Sequence, residues 1–168
     1  VSAQRFAVVD VETSGLRVQR HHVLQVGVVV VDGTGAVLER WSSLVAPRSR
    51  WWFRVGPTKL HGIHRRDVRT APAAPQVMAQ LAARLHGARF VAHNAEFDIA
   101  FLRKAAAGAG VELPIAEPLC TLRLSRQLTG WLQDGAPHPS CVDCPVRGEH
   151  DQPFAGCPYP QSFVVDMG

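Results

Sequence analysis

Three runs near the N-terminus group their hydrophobic residues as strands do: RFAVVDV, HVLQVGVVVVD and AVLERWSSLVA. Val dominates the first two, and DGTG at residues 32 to 35 supplies a hairpin turn between the second and third, so the pattern predicts an antiparallel meander. The period then changes. In PQVMAQLAARLH, residues 75 to 86, Val77, Leu81 and Leu85 fall at helical spacing after two prolines suited to a helix start. RFVAH, 89 to 93, reads as a short buried strand, and residues 95 to 107 read as a second helix. LCTLRLSRQL, 119 to 128, reads as a strand end running into a third helix. The predicted order is β-β-β-α-β-α-β-α, an α/β fold with a mixed sheet covered by helices. Past residue 130 the pattern fades. Residues 133 to 168 hold neither Leu nor Ile but six of the twelve prolines, which excludes an amphipathic helix of useful length. The expected division is therefore 1–130 as the folded domain and 131–168 as an irregular Pro/Cys/His-rich tail, loop or disordered.

Composition narrows the class without choosing a function. A chain of 168 residues with 46% hydrophobic and 19% charged residues is expected to build one core without staples. A net charge of +4 permits contact with a polyanion. No stretch approaches the 18 or more apolar residues of a membrane span, and a soluble cytoplasmic protein with no membrane partner is expected. Cys120, Cys141, Cys144 and Cys157 lack a secretory context, which favours free thiols or a metal over disulfides.

Chemistry enters with the acids. In FAVVDVETSGL, Asp10 and Glu12 lie two residues apart in a strand and so share a face, while Val9 and Val11 point the other way. Two like charges that close are unfavourable unless one is protonated or a cation lies between them. The plain alternative is a strand end emerging into solvent, with Thr13, Ser14 and Gly15 beginning a turn. A second group lies in AHNAEFDIAFLRKA, residues 92 to 105, where Asn94 is a suitable N-cap and Asp98 heads a stripe continued by Phe101, Leu102 and Ala105. If exposed, Asp98 needs only the helix dipole. If it faces the sheet, its desolvation requires a partner, and a cation shared with Asp10 and Glu12 meets that need. Oxygen ligands in an open site favour Mg²⁺ or Mn²⁺ over Zn²⁺.

Together these motifs resemble the DnaQ-like (DEDDh) 3′-5′ exonuclease family, which includes the epsilon subunit of bacterial DNA polymerase III and RNase T. VVDVETSGL resembles the first family motif and VAHNAEFDIAFL the second; KLHGIHRRDV, 59 to 68, is similar to the HGI segment, and CTLRLSRQL to the strand-helix segment that follows the second motif. The resemblance covers residues 5 to about 128. It implies an RNase H-like fold with a mixed five-stranded sheet, and removal of nucleotides from nucleic-acid 3′ ends by two divalent ions, Mg²⁺ or Mn²⁺. Asp10, Glu12 and Asp98 would be metal ligands and catalytic residues. Thr13, Ser14, Gly15, Leu16, His61, Asn94 and Phe97 would meet the terminal nucleotide. The implied partners are single-stranded DNA or RNA 3′ ends and a DNA polymerase subunit, in replication or repair. Each contact has a plainer reading: Leu16 and Phe97 as core, Asn94 as a cap alone, His61 as the anchor of a turn.

The third family motif places a His, as general base, five positions before a fourth Asp ligand on a Leu- and Ala-rich helix. HPSCVD, His138 to Asp143, matches that spacing, but Pro139 and Pro145 interrupt any helix there. The tail has three readings: a diverged loop delivering His138 and Asp143, a zinc site among His138, Cys141, Cys144, His150 and Cys157, or a lost reading frame or C-terminus that leaves the fold incomplete. Residues 47 to 69 carry seven Lys or Arg against one Asp, with Trp51, Trp52 and Phe53 among them, which suits single-strand binding or, equally, a solvated loop pinned by aromatics. The leading expectation is a metal-dependent 3′-5′ exonuclease. Its rival is a catalytically impaired nucleic-acid-binding or polymerase-associated module that retains the fold.

Overall fold

The computed structural model describes residues 4–47 and 53–129, with side chains to 126. The chain divides into two compact units, Val1–Leu124 and Ser125–Gly168, and the fold described here is that of the first. Three strands open it, β1 (Arg5–Thr13), β2 (Val23–Asp32) and β3 (Val37–Leu44), each antiparallel to the next. The turn between β2 and β3 is fastened by the Asp32 carboxylate, which accepts from the Thr34 and Ala36 N–H groups and the Thr34 hydroxyl. Two short helices follow, α1 (Thr58–His61) and α2 (Arg65–Arg69). The sequence pattern does not predict them, because α1 has no buried residue and α2 only Val68, and so few residues carry no period. Then come α3 (Ala74–Leu85), β4 (Arg89–Ala92), α4 (Ala95–Ala109), the two-residue β5 (Leu119–Cys120) and α5 (Thr121–Thr129).

The five strands form one mixed sheet in the order β3-β2-β1-β4-β5, with β4 parallel to β1 and β5 parallel to β4. Alternation along β1 decides what each face carries. Ala7, Val9 and Val11 turn inward and join Val26, Val28 and Val30 of β2 against α3 (Val77, Met78, Leu81, Leu85) and α4 (Ile99, Phe101, Leu102, Ala106). Val8, Asp10 and Glu12 turn to the other face, where Val8 is 42% exposed. A smaller cluster of Leu24, Phe53, Ile63 and Val68 attaches the 53–69 segment to β2. No helix among the described residues is long and apolar enough to cross a membrane.

Candidate active site

The site forms where β1 outruns its parallel neighbour. Pairing of β1 with β4 ends at Val8–Val91, whereas β1 continues to Thr13. Beyond that point one edge of β1 is open, and α4 begins just after β4 and brings Asp98 beside it. Such a position, at the carboxyl ends of parallel strands, is where open α/β sheets place their ligands. Across the antiparallel ladder Asp10 faces Gly27, so no side chain covers it from β2, and Glu12 faces Gln25.

Asp98 is 3% exposed and Asp10 is its neighbour. Desolvation, reinforced by the Asp10 charge, pushes the Asp98 carboxyl up to about 7, against the opposing pull of its own and the Val11 N–H groups. Asp10 retains solvent contact as a residue, yet protein around its carboxyl desolvates it enough to raise its pKa, while the Val11 N–H and His93 pull the other way. Glu12 is raised too, by desolvation first and by Asp10 second, with His61 opposing. The structure therefore brings together the three acids expected from the sequence in one shared field. Among the described residues none of them has an ion-pair partner. Nor does any group of three His, Cys, Asp or Glu side chains among those residues close into a ready ligand cage. The donor set still fits a hard divalent cation: Asp10 repels both Asp98 and Glu12, all three carboxyls are partly desolvated, and positive charge placed beside Asp10 relieves both repulsions.

Apart from His61, the residues expected around the terminal nucleotide lie within four positions of Glu12 or Asp98 along the chain. Thr13 and Ser14 are buried at the strand end, where the Thr13 hydroxyl donates to the Gly15 carbonyl at 3.0 Å and Ser14 Oγ accepts from the His22 N–H at 3.0 Å. Leu16 is 82% exposed, which removes its reading as a core residue. Phe97 is half-buried and tilts against Phe101, with ring centroids 4.9 Å apart. Asn94 corrects the expectation of a side-chain cap. It occupies the N-cap position of α4 with left-handed backbone (φ 64, ψ 50) and makes no side-chain cap bond, so its exposed carboxamide is uncommitted to the helix. His61 does what the plainer reading foresaw: Nδ1 accepts from the Ile63 N–H at 3.0 Å, which leaves Nε2 as the donor to the Val55 carbonyl at 2.9 Å. It nevertheless lies near enough to Glu12 to favour that carboxylate, which places it at the edge of the site. His138 and Asp143, with the candidate zinc ligands Cys141, Cys144, His150 and Cys157, lie outside the described residues, as do Trp51 and Trp52.

Two contributors were missed by sequence reasoning. Lys104, on α4, donates to the Val18, Gln19 and His21 carbonyls and so fixes the loop that follows Leu16. His93, at the end of β4, contacts the Thr121 hydroxyl at 3.2 Å and lies close enough to Asp10 to act on its charge. His93 and Lys104 both fall inside the stretch AHNAEFDIAFLRKA, so proximity to that motif was a signal for both, but nothing local announced the loop carbonyls that Lys104 holds.

A family model for exonucleases, RNase_T, matches residues 7–138. The chain belongs to the DnaQ-like 3′-5′ exonuclease family. Within it, the chain is 34% identical over 127 residues to the 3′-5′ exonuclease DinG of Bacillus subtilis, covering 75% of this chain and 13% of that one. It is 37% identical over 101 residues to a DNA polymerase III subunit epsilon-like protein of Rhodobacter capsulatus, covering 59% and 14%. A product-bound structure of exonuclease I superposes with a TM-score of 0.70 at 15% identity, over 81% of this chain and 34% of that one. The fold of this DnaQ-like domain is RNase H-like. It spans only a fraction of the length of the relatives it matches.

Proposed function

We propose that residues 1–130 form a 3′-5′ exonuclease domain that hydrolyses the terminal phosphodiester of a nucleic-acid strand with two divalent ions, Mg²⁺ or Mn²⁺. The observation that carries the reading is the placement of Asp10 beside both Asp98 and Glu12, with no Lys or Arg of the described residues paired to any of the three. When bound, the ions supply an activated water and neutralise charge on the leaving 3′ oxygen. The chain supplies everything else. β1 holds Asp10 and Glu12 on one face at fixed spacing, and α4 delivers Asp98 from the side. Leu16 stands free to wedge beneath a terminal base, Phe97 offers an aromatic edge, and the Asn94 carboxamide, released from capping, can hydrogen-bond the nucleotide. Thr13 to Gly15 form the rigid turn on which that nucleotide rests. His138 and Asp143 are proposed as general base and fourth ligand. Relatives named as polymerase III proteins support replication or repair of DNA beside a polymerase subunit. A neighbour titled as exonuclease I in complex with a dT13 oligonucleotide supports a single-stranded substrate.

The test is Mn²⁺-dependent release of nucleotides from a 3′-labelled single strand by the full chain and by Asp10→Ala. Release by the parent and a loss of at least 100-fold in the variant is the expected outcome, since one removed charge-stabilising group typically costs 10²–10³ in rate. No release by the parent defeats the reading, and equal release by both proteins traces the activity to a contaminant.

A further inference from the structure

We infer that Leu60, on α1, is a further substrate contact of the site and packs against the 3′-terminal base of the bound strand. This rests on the exonuclease reading of the neighbouring carboxylates. A single exposed leucine is ordinary on a protein surface, so its setting has to carry the assignment. Leu60 is 82% exposed, as is Leu16. The helix that bears it buries no residue at all, so core packing does not account for where α1 is placed.

Hydrogen bonds fix it instead. The Thr58, Leu60 and Gly62 N–H groups donate to the Gly56, Pro57 and Thr58 carbonyls at 3.0, 2.8 and 2.8 Å. His61 spends both ring nitrogens on the same segment, Nδ1 accepting from the Ile63 N–H and Nε2 donating to the Val55 carbonyl. Ile63 is buried with Leu24, Phe53 and Val68, which ties the segment to β2. Leu60 is thus an apolar side chain on a rigid mount, and a preorganised contact loses little freedom on binding.

Two observations place this mount beside the acids. His61 lies near enough to Glu12 to favour its carboxylate. Gly56, with φ 76, lies so close to Ser14 that a Cβ there would come within 2.9 Å of the Ser14 carbonyl carbon. The loop that carries Leu60 therefore touches the turn that leads to Leu16, and each presents one leucine to solvent. The His61 ring, expected to meet the nucleotide, is committed to backbone, and its neighbour Leu60 is the side chain left free for that contact. Chemistry names the occupant. An aliphatic side chain offers no charge to a phosphate and no hydrogen bond to a sugar hydroxyl, whereas every base has an apolar face. The contact therefore requires a base and accepts any of them.

The experiment uses the full chain, Leu60→Ser and Leu60→Met, with a short 5′-labelled oligothymidylate and the same oligonucleotide carrying an abasic 3′-terminal residue. Affinities are measured in EDTA. A methylene buried against a base is worth about 4-fold in affinity, so Leu60→Ser, losing one or two such contacts, should bind the intact oligonucleotide about 4- to 16-fold more weakly. Its affinity for the abasic oligonucleotide should match the parent's, and Leu60→Met should bind both as the parent does. Leu60→Ser should also melt with the parent, since α1 buries nothing. Equal losses on the two oligonucleotides, or no loss on the intact one, overturn the inference. Mn²⁺-dependent cleavage of the intact oligonucleotide by the parent is scored separately. Its absence defeats the catalytic reading alone, because binding in EDTA still decides the role of Leu60.

Discussion

Replacing Asp98 by Asn should make the metal-free protein more stable at pH 8 even though it removes a proposed ligand. In the folded chain the Asp98 carboxyl is raised from 3.8 to about 7. The unfolded chain releases that proton near 3.8, so between the two values the folded state binds more protons and stability falls as pH rises. Above pH 7 the loss is complete and amounts to about 4 kcal/mol. Asn carries no charge in either state and keeps nearly the same shape, so the variant escapes the loss. In EDTA its advantage over the parent should be larger at pH 8 than at pH 5 by about 2 to 3 kcal/mol, integrating the same linkage over that interval. Urea unfolding at the two pH values, followed by tryptophan fluorescence, measures it. Mn²⁺ at 100 times its Kd should then stabilise the parent by about 2.7 kcal/mol and the variant by much less. An advantage that is absent, or that does not grow with pH, would refute the claim that β1 and α4 hold this carboxyl against its own charge.

Two substitutions test the scaffold around that site. Lys104→Met should lower stability by about 1.5 to 3 kcal/mol through loss of charged hydrogen bonds to loop carbonyls. Because the loop it holds follows Leu16, the variant should raise KM for oligonucleotides more than it lowers kcat, and a kcat-only effect would count against that role. Gly56→Ala should cost about 1 to 3 kcal/mol, since φ 76 and the Ser14 backbone both oppose a Cβ; thermal unfolding near the parent Tm would show that the two loops separate easily.

Much of this arrangement was legible in the sequence because it rests on local periodicity. Two-residue spacing placed Asp10 and Glu12 opposite Val9 and Val11, and helical spacing put Asp98 at the head of the Phe101, Leu102 and Ala105 stripe, leaving open whether it was exposed or faced the sheet. The strand order was not legible from spacing, since β4 and β5 reach their partners through crossovers. Lys104 escaped notice because its acceptors are backbone carbonyls more than 80 residues earlier, which leave no side-chain signature. Asn94 misled because the residue type that caps helices is also the one that best tolerates left-handed backbone. The Trp41 ring on β3 offered no hint that Arg84 would stack on it at 4.4 Å while pairing with Glu39 at 2.9 Å, since those contacts arise from the docking of α3.

The alternation along β1 has a consequence for how this domain tolerates change. Inward Val and outward acid are set by the same parity, so a slip of one residue would carry Asp10 and Glu12 into the core and turn Val9 and Val11 to water. Deletion of Val11 alone would therefore put Asp10 and Glu12 on opposite faces and disturb core and chemistry in one event, whereas substitutions on the acid face can separate them. In this strand the count of residues is constrained more tightly than the identity of most of them.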